Sequence, residues 1–198
     1  MLRVGLTGGI GSGKSTVSAK FHTLFKTPVI DADEINQRLL IKNSSAYTEI
    51  VTAFGASILT STGDIDRKIL RQKIFSSKQS RTQLEAILHP RIKAEIARQI
   101  NTLECAYVLV VVPLLVELNL QDQFDRICVI DVGYDMQLAR VSKRDNCSQA
   151  DVAKIVASQI EAESRIRYAD DIINNNADMA ALNEQIHRLH KKYVALSK

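Results

Sequence analysis

Between residues 8 and 15 the chain reads Gly8-Gly9-Ile10-Gly11-Ser12-Gly13-Lys14-Ser15, the G-x-x-x-x-G-K-[ST] spacing of a loop that wraps a phosphate chain. Glycine at these positions permits positive φ and leaves room for backbone N–H groups to turn inward. A helix behind the loop adds its N-terminal donors and dipole, so the stretch is expected to cradle an anion. In that setting Lys14 reaches the β and γ phosphates and offsets the charge that moves in transfer, while the Ser15 hydroxyl ligates a Mg²⁺ that bridges them. The competing explanation is a chance glycine-rich turn, and the apolar run before the loop and the helical period after it count against that.

Two carboxylates, Asp31 and Asp33, follow a second apolar run and so stand at the edge where open α/β sheets collect their ligands. Asp33 is the candidate general base for an attacking hydroxyl, and Asp31 a candidate for holding Mg²⁺ through water. Read as an extended segment, residues i and i+2 share one face, where two like charges perturb each other. N-capping of the next helix accounts for Asp33 equally well. Further along, Arg140 and Arg144 are four apart and therefore on one helical face, from which two guanidiniums could close over a transferring phosphate and exclude water. With Asp145 beside them, an ordinary solvated face explains the same residues.

These groups need a frame. Five short apolar runs, residues 2–6, 28–30, 107–112, 126–130 and 171–173, have the length and composition of buried parallel strands, and segments of helical period separate most of them. Such alternation implies βαβ units and a parallel sheet covered on both faces, an α/β class. The expected core is residues 1–38, 105–135 and 169–198. Residues 39–104 read as an inserted helical lobe, its helices joined at Asn43-Ser44-Ser45, Ser61-Thr62-Gly63 and His89-Pro90. Residues 136–168, rich in Arg, Lys, Gln and Ser, read as a mobile lid, and Asn174-Asn175-Asn176 as a loop after the last strand.

At 198 residues there is room for one such core with embellishments. A formal charge of +4 spread along the chain suits a small anionic ligand, and 5% aromatic residues with no Trp leave no evident platform for stacking nucleic acid. Cys105, Cys128 and Cys147 are odd in number and lack metal-ligand spacing, which points to a reducing cytoplasm. No apolar run is long enough to span a membrane.

Glycine loops of this kind serve switches, motors and small-molecule kinases alike, so other residues must choose. The run 108–112 ends in Pro113 where a motor or switch ATPase would carry a metal-binding Asp; Asp131, after the fourth run, is only a formal substitute. There is also no Asn-Lys-x-Asp segment of the guanine-selecting type. The carboxylates and the basic lid favour a kinase, with a nucleotide-binding regulator as the alternative.

Several segments beyond the loop can be taken together: Leu6-Thr7 leading into it, Asp31-Ala32-Asp33, Gly63-Asp64-Ile65-Asp66-Arg67, Leu88-His89-Pro90, Pro113-Leu114-Leu115-Val116-Glu117, Arg140 with Lys143-Arg144-Asp145, and Ala169-Asp170-Asp171-Ile172-Ile173. Along nearly the whole chain these resemble the dephospho-coenzyme A kinases, within the wider P-loop nucleotide kinase group. The resemblance implies a P-loop three-layer sandwich with strand order 2-3-1-4-5, and ATP-dependent phosphorylation of the ribose 3′-hydroxyl of dephospho-coenzyme A. It implies ATP contacts from Gly11, Ser12, Gly13, Lys14, Ser15, Thr16, Arg144 and Asn175, activation of the hydroxyl by Asp33, a lid carrying Arg140, and acceptor contacts from Arg67, His89 and Arg91. It further implies a cytoplasmic enzyme that is a monomer or weak homo-oligomer without nucleic-acid partners. Two stretches depart from the pattern: Lys42-Asn43-Ser44-Ser45 lacks a glycine common in such enzymes, which leaves the turn that opens the acceptor lobe undefined, and Asn175-Asn176-Ala177 lacks another, where Asn, which tolerates the left-handed region, is expected to stand in.

Overall fold

The computed structural model describes residues 1–198. The chain opens with β1 (Leu2–Gly8), α1 (Lys14–Phe25) and β2 (Val29–Asp31), and continues through α2 (Ala32–Leu39), α3 (Tyr47–Phe54), α4 (Arg67–Ser76) and α5 (Lys78–Asn101). It then runs through β3 (Tyr107–Val111), β4 (Arg126–Asp131), α6 (Tyr134–Asp145), α7 (Gln149–Ala157), α8 (Ala162–Ile166), β5 (Asp171–Asn174) and α9 (Met179–Leu196). Two compact units result: a sheet unit of Met1–Asp31 with Leu103–Lys198, and a helical unit of Ala32–Thr102. No helix is long and apolar enough to cross a membrane.

The sheet is parallel, in the order β2-β3-β1-β4-β5 that the family resemblance implied. Its central strand β1 pairs with β3 from Leu2↔Tyr107 to Leu6↔Val111 and with β4 from Val4↔Arg126 to Gly8↔Ile130. All five residues of β3 are buried, as expected for a continuous β-branched and aliphatic run covered on both faces. The expected 28–30 strand begins one residue later, because Pro28 has no N–H to give the ladder; its carbonyl still accepts from Leu109 N at 3.0 Å. On one face, Val4, Leu6, Leu109, Val111, Cys128, Ile130 and Ile173 pack against Val17 and Phe21 of α1 and Leu182, Ile186, Leu189 and Tyr193 of α9. Phe21 is fully buried, and removing a side chain of that size from water stabilises the fold by about 1.5–3 kcal/mol. Burial pushes the Cys128 thiol up to about 12, so this cysteine is core filling without nucleophilic character.

In the helical unit, Ile35, Leu39, Ile50, Phe54, Ile58, Ile65, Leu70, Leu84, Ile87 and Leu88 supply the buried apolar residues. Asn43 takes φ 67° in the turn after α2, so an asparagine occupies the left-handed position in the turn that the residues alone left undefined. Gly63, at φ 80°, closes the turn between Thr60 and Asp64, and Asp66 then caps α4 by accepting from Lys68 N and Ile69 N at 2.9 and 3.1 Å.

The structure corrects two expectations here. α2 begins at Ala32, so Asp33 lies inside its first turn instead of ahead of it, and the chain is no longer extended there. The argument that Asp31 and Asp33 share a face by strand alternation therefore fails. Nor does His89-Pro90 join two helices, because α5 runs unbroken through Pro90 for 24 residues. Proline removes a donor and crowds the preceding turn. The donor lost at Pro90 is the one that would serve the Ala86 carbonyl; Arg91 Nη1 donates to the next carbonyl, Ile87 O, at 2.7 Å, and its Nη2 holds Glu49 at 2.5 Å.

Candidate active site

β1 delivers the chain to Gly8 and α1 resumes it at Lys14, so the loop hangs from the carboxyl edge of the central strand. Gly11 and Gly13 adopt φ 72° and 97°, which L side chains rarely do. Packing demands glycine too. A Cβ on Gly13 would fall 2.4 Å from Asn175 Nδ2, one on Gly11 2.8 Å from Val141 Cγ2, and one on Gly9 2.7 Å from Gln137 Nε2. α6 thus rests directly on the loop, a contact that loop spacing alone does not disclose.

Side chains cap α4, α5, α7 and α9 through Asp66, Ser77, Ser148 and Asp178, whereas α1, like α3, α6 and α8, starts without one, Gly13 standing at its N-cap. That end of α1 keeps its dipole and donors for an anion, with Ser15 and Thr16 exposed in its first turn. Lys14 Nζ donates to Gly8 O at 2.7 Å and to Gly9 O at 3.0 Å, placing a cation across the mouth of the loop. Ser12 Oγ is buried without a partner. These features fit a triphosphate: two positive-φ glycines, an uncapped helix start and a lysine held at the opening.

Asn175, 7% exposed, locks the loop from behind. Its Nδ2 donates to Ser12 O at 2.7 Å, its N to Asp131 O at 2.8 Å, and its own carbonyl accepts from Arg140 Nη2 at 3.0 Å. Arg140 is therefore tied to the phosphate loop through one residue. Asn175 and Asn176 are not among the positive-φ residues, so the expected left-handed substitution is not used there. Arg144 makes two 2.7 Å contacts with Asp145 and is 60% exposed, so the two α6 guanidiniums have separate partners.

The remaining candidates belong to the helical unit. Asp33 is exposed in the first turn of α2. Arg67 Nη2 donates to Gln37 O at 3.4 Å, His89 is half-buried on α5, and Arg91 is largely committed to Ile87, Glu49 and Ser45. Asp31 ends β2. Sequence reasoning missed Gln159, whose Oε1 accepts from Ile10 N at 3.0 Å, and the ion pair of Arg165 with Glu117 at 3.2 Å. Only Glu117 carried a signal, as the last residue of the Pro-Leu-Leu-x-Glu segment.

A parallel sheet of this order, with a glycine loop and its lysine between the central strand and the first helix, defines the P-loop nucleoside-triphosphate fold. The family model described as dephospho-CoA kinase matches residues 2–181. A curated dephospho-CoA kinase of Mannheimia succiniciproducens is 45% identical over 198 residues, covering 98% of this chain and 92% of the relative. Among solved structures, a Thermus thermophilus protein aligns with TM-score 0.85 at 25% identity, covering 98% of this chain and 97% of the other. The dephospho-CoA kinase from Campylobacter jejuni aligns with TM-score 0.72 at 26% identity over 99% and 98% of the two chains. The chain belongs to the dephospho-CoA kinase family, and that family's kinase chemistry uses ATP.

Proposed function

We infer that this protein transfers the γ-phosphoryl group of ATP to the ribose 3′-hydroxyl of dephospho-coenzyme A, yielding coenzyme A and ADP in the last step of coenzyme A synthesis. The observation that carries the reading is the phosphate loop itself, with Lys14 across its mouth and Arg140 tied to it through Asn175, in a chain of this family. As the bond from the 3′-oxygen to the γ-phosphorus forms, the bond to the β,γ-bridging oxygen breaks and negative charge moves onto ADP. Lys14 leaves the Gly8 and Gly9 carbonyls for the phosphate oxygens and offsets that charge, and Arg140 stabilises the transferring group. Asp33 accepts the hydroxyl proton. Gly11, Ser12, Gly13, Ser15 and Thr16 supply the remaining loop contacts to ATP, with Arg144 and Asn175 at its edge. On the acceptor side the reading assigns Arg67, His89 and Arg91.

A Mg²⁺ ion, when bound, neutralises charge between the β and γ phosphates. The residues present fit it: the Ser15 hydroxyl is exposed at the open helix start, and Asp31 ends the neighbouring stretch of chain as a carboxylate able to act through water. No group of three His, Cys, Asp or Glu side chains is placed to hold a metal alone, which suits an ion carried largely by nucleotide phosphates. The same reading gives a cytoplasmic enzyme, acting singly or as a weak homo-oligomer, without nucleic-acid partners.

The test is ADP release with ATP and Mg²⁺ in the presence of no acceptor, dephospho-coenzyme A, or adenosine. Turnover dependent on dephospho-coenzyme A, with coenzyme A as product, is expected; ADP formation indifferent to acceptor removes the substrate assignment. Asp33→Asn should lower kcat by about 10²- to 10⁴-fold while sparing ATP affinity. Normal turnover by that variant would exclude Asp33 as the base.

A further inference from the structure

Buried charge in the sheet unit collects at a place the reaction above does not use. Arg165 of α8 is 4% exposed, and its Nη2 donates to Glu117 Oε1 at 3.2 Å and to Ile160 O at 3.1 Å. The same Glu117 oxygen accepts from Ile160 N at 3.3 Å, so the three residues close a ring between the segment after β3 and the link from α7 to α8. The adjacent link residue is Gln159, whose Oε1 accepts from Ile10 N inside the phosphate loop. A Cβ on Gly9 would lie 3.4 Å from that oxygen and 3.5 Å from Arg165 Nη1.

The bond from Ile10 N fixes more than one atom, because a peptide group is planar and turns as a unit. Its other end is the Gly9 carbonyl, which accepts from Lys14 Nζ at 3.0 Å and from Ser12 N at 3.2 Å. Holding Ile10 N–H toward Gln159 therefore aims the Gly9 oxygen at Lys14. A contiguous path leads from the buried ion pair through Ile160 and Gln159 to the resting place of the lysine.

Stability is a poor reason for this arrangement. A buried ion pair is commonly no better than an apolar pair of similar volume. This one also leaves Glu117 Oε2 and Arg165 Nε buried without partners, and such orphaned atoms are a cost. What the ring does supply is a fixed backbone at 160 in a link that is followed by a helix of only five residues.

We propose that Arg165, clamped by Glu117, is a positioning residue for phosphoryl transfer: it sets Gln159, which fixes the Gly9–Ile10 peptide plane and with it the place of Lys14. The proposal rests on the role given to Lys14 above. It is tested with Arg165→Met, Arg165→Lys and Gln159→Leu, measuring kcat, KM for each substrate, thermal midpoint, and calorimetric affinity for a non-hydrolysable ATP analogue. Arg165→Met and Gln159→Leu should each lower kcat about 10- to 100-fold, because an ångström of misplacement at a reacting centre has that effect. Both should weaken the ATP analogue and leave KM for dephospho-coenzyme A unchanged, and Arg165→Lys, which keeps donors for Glu117 and Ile160, should recover most of the loss. Lower thermal midpoints with wild-type kcat and analogue affinity would make the pair a strut and overturn the proposal. Should Arg165→Met not fold, the half-buried Gln159 decides alone by the same readings. If the wild type ignores dephospho-coenzyme A while the variants still lose analogue affinity, the acceptor assignment falls and the positioning role stands.

Discussion

Asp171 in the sheet unit is 6% exposed and is held by Arg126 Nε at 2.9 Å and by Lys192, whereas Glu95 in the helical unit meets Arg98 at 2.8 Å on an arginine side chain 66% exposed. The same pairing of charges has different consequences. Burial alone raises the Asp171 carboxyl, but the hydrogen bonds from Arg126 and Lys192 outweigh it and hold the group below the usual carboxylate range. Arg98 and Gln99 bring Glu95 down to about 2, yet water and salt screen that pair. Beside exposed pairs such as Arg144–Asp145, the sheet unit thus holds two, Asp171 with Arg126 and Glu117 with Arg165, where loss of one partner strands the other. The helical unit keeps its ion pairs at the surface, where either partner can be lost to solvent with little effect.

The sharpest way to probe this contrast is Lys14→Ala, which removes the charge at the loop mouth. It should lower kcat by about a thousandfold with the fold intact by circular dichroism. Next is Asp171→Asn, which leaves Arg126 without its counter-charge and should cost about 3 kcal/mol in denaturant unfolding. The sign of the pH dependence follows from the lowered carboxyl. Its stabilisation is complete above the ordinary carboxylate range and is lost as pH falls through the depressed folded value, so Asp171→Asn should flatten the acid limb of the stability curve. In the helical unit, Pro90→Ala should raise stability by about 1 kcal/mol, by restoring a donor and removing a clash inside α5. A loss of stability there would show that the proline is required by the packing. Smallest of all, Arg98→Ala should leave the thermal midpoint indistinguishable from wild type at physiological salt. A clear fall would erase the distinction between the two units.

What could be read from the residues follows the reach of each signal. The phosphate loop was legible because glycine, lysine and serine at fixed spacing act within eight residues. The five strands were legible as apolar runs, but their order came from family resemblance, since pattern alone does not say which parallel strands adjoin. Pro90 misled because the rule against proline is local, while α5 buries Leu84, Ile87 and Leu88 just ahead of it, packing that a local rule does not weigh. Asn175 was expected to adopt the left-handed region and does not; its side-chain amide locks Ser12 instead, a bond across 163 residues that no local pattern discloses. Arg165 and Glu117, 48 residues apart, had no spacing to betray them, and only the fold brings them together beneath Gly9.

The strand order also has a consequence for how the chain is made. β1 borders β3 and β4 and not β2, so the first two strands synthesised are not partners. β1 acquires one hydrogen-bonded edge only when residues 107–111 have emerged from the ribosome, and the other only with residues 126–130. The helical unit, complete by Thr102, has contacts of its own to form in the meantime. The clasp of the glycine loop in the sheet unit, Asn175 on Ser12, arrives later still. The glycine loop is among the first segments translated and among the last to take shape, because long-range parallel pairings must await their distant partners.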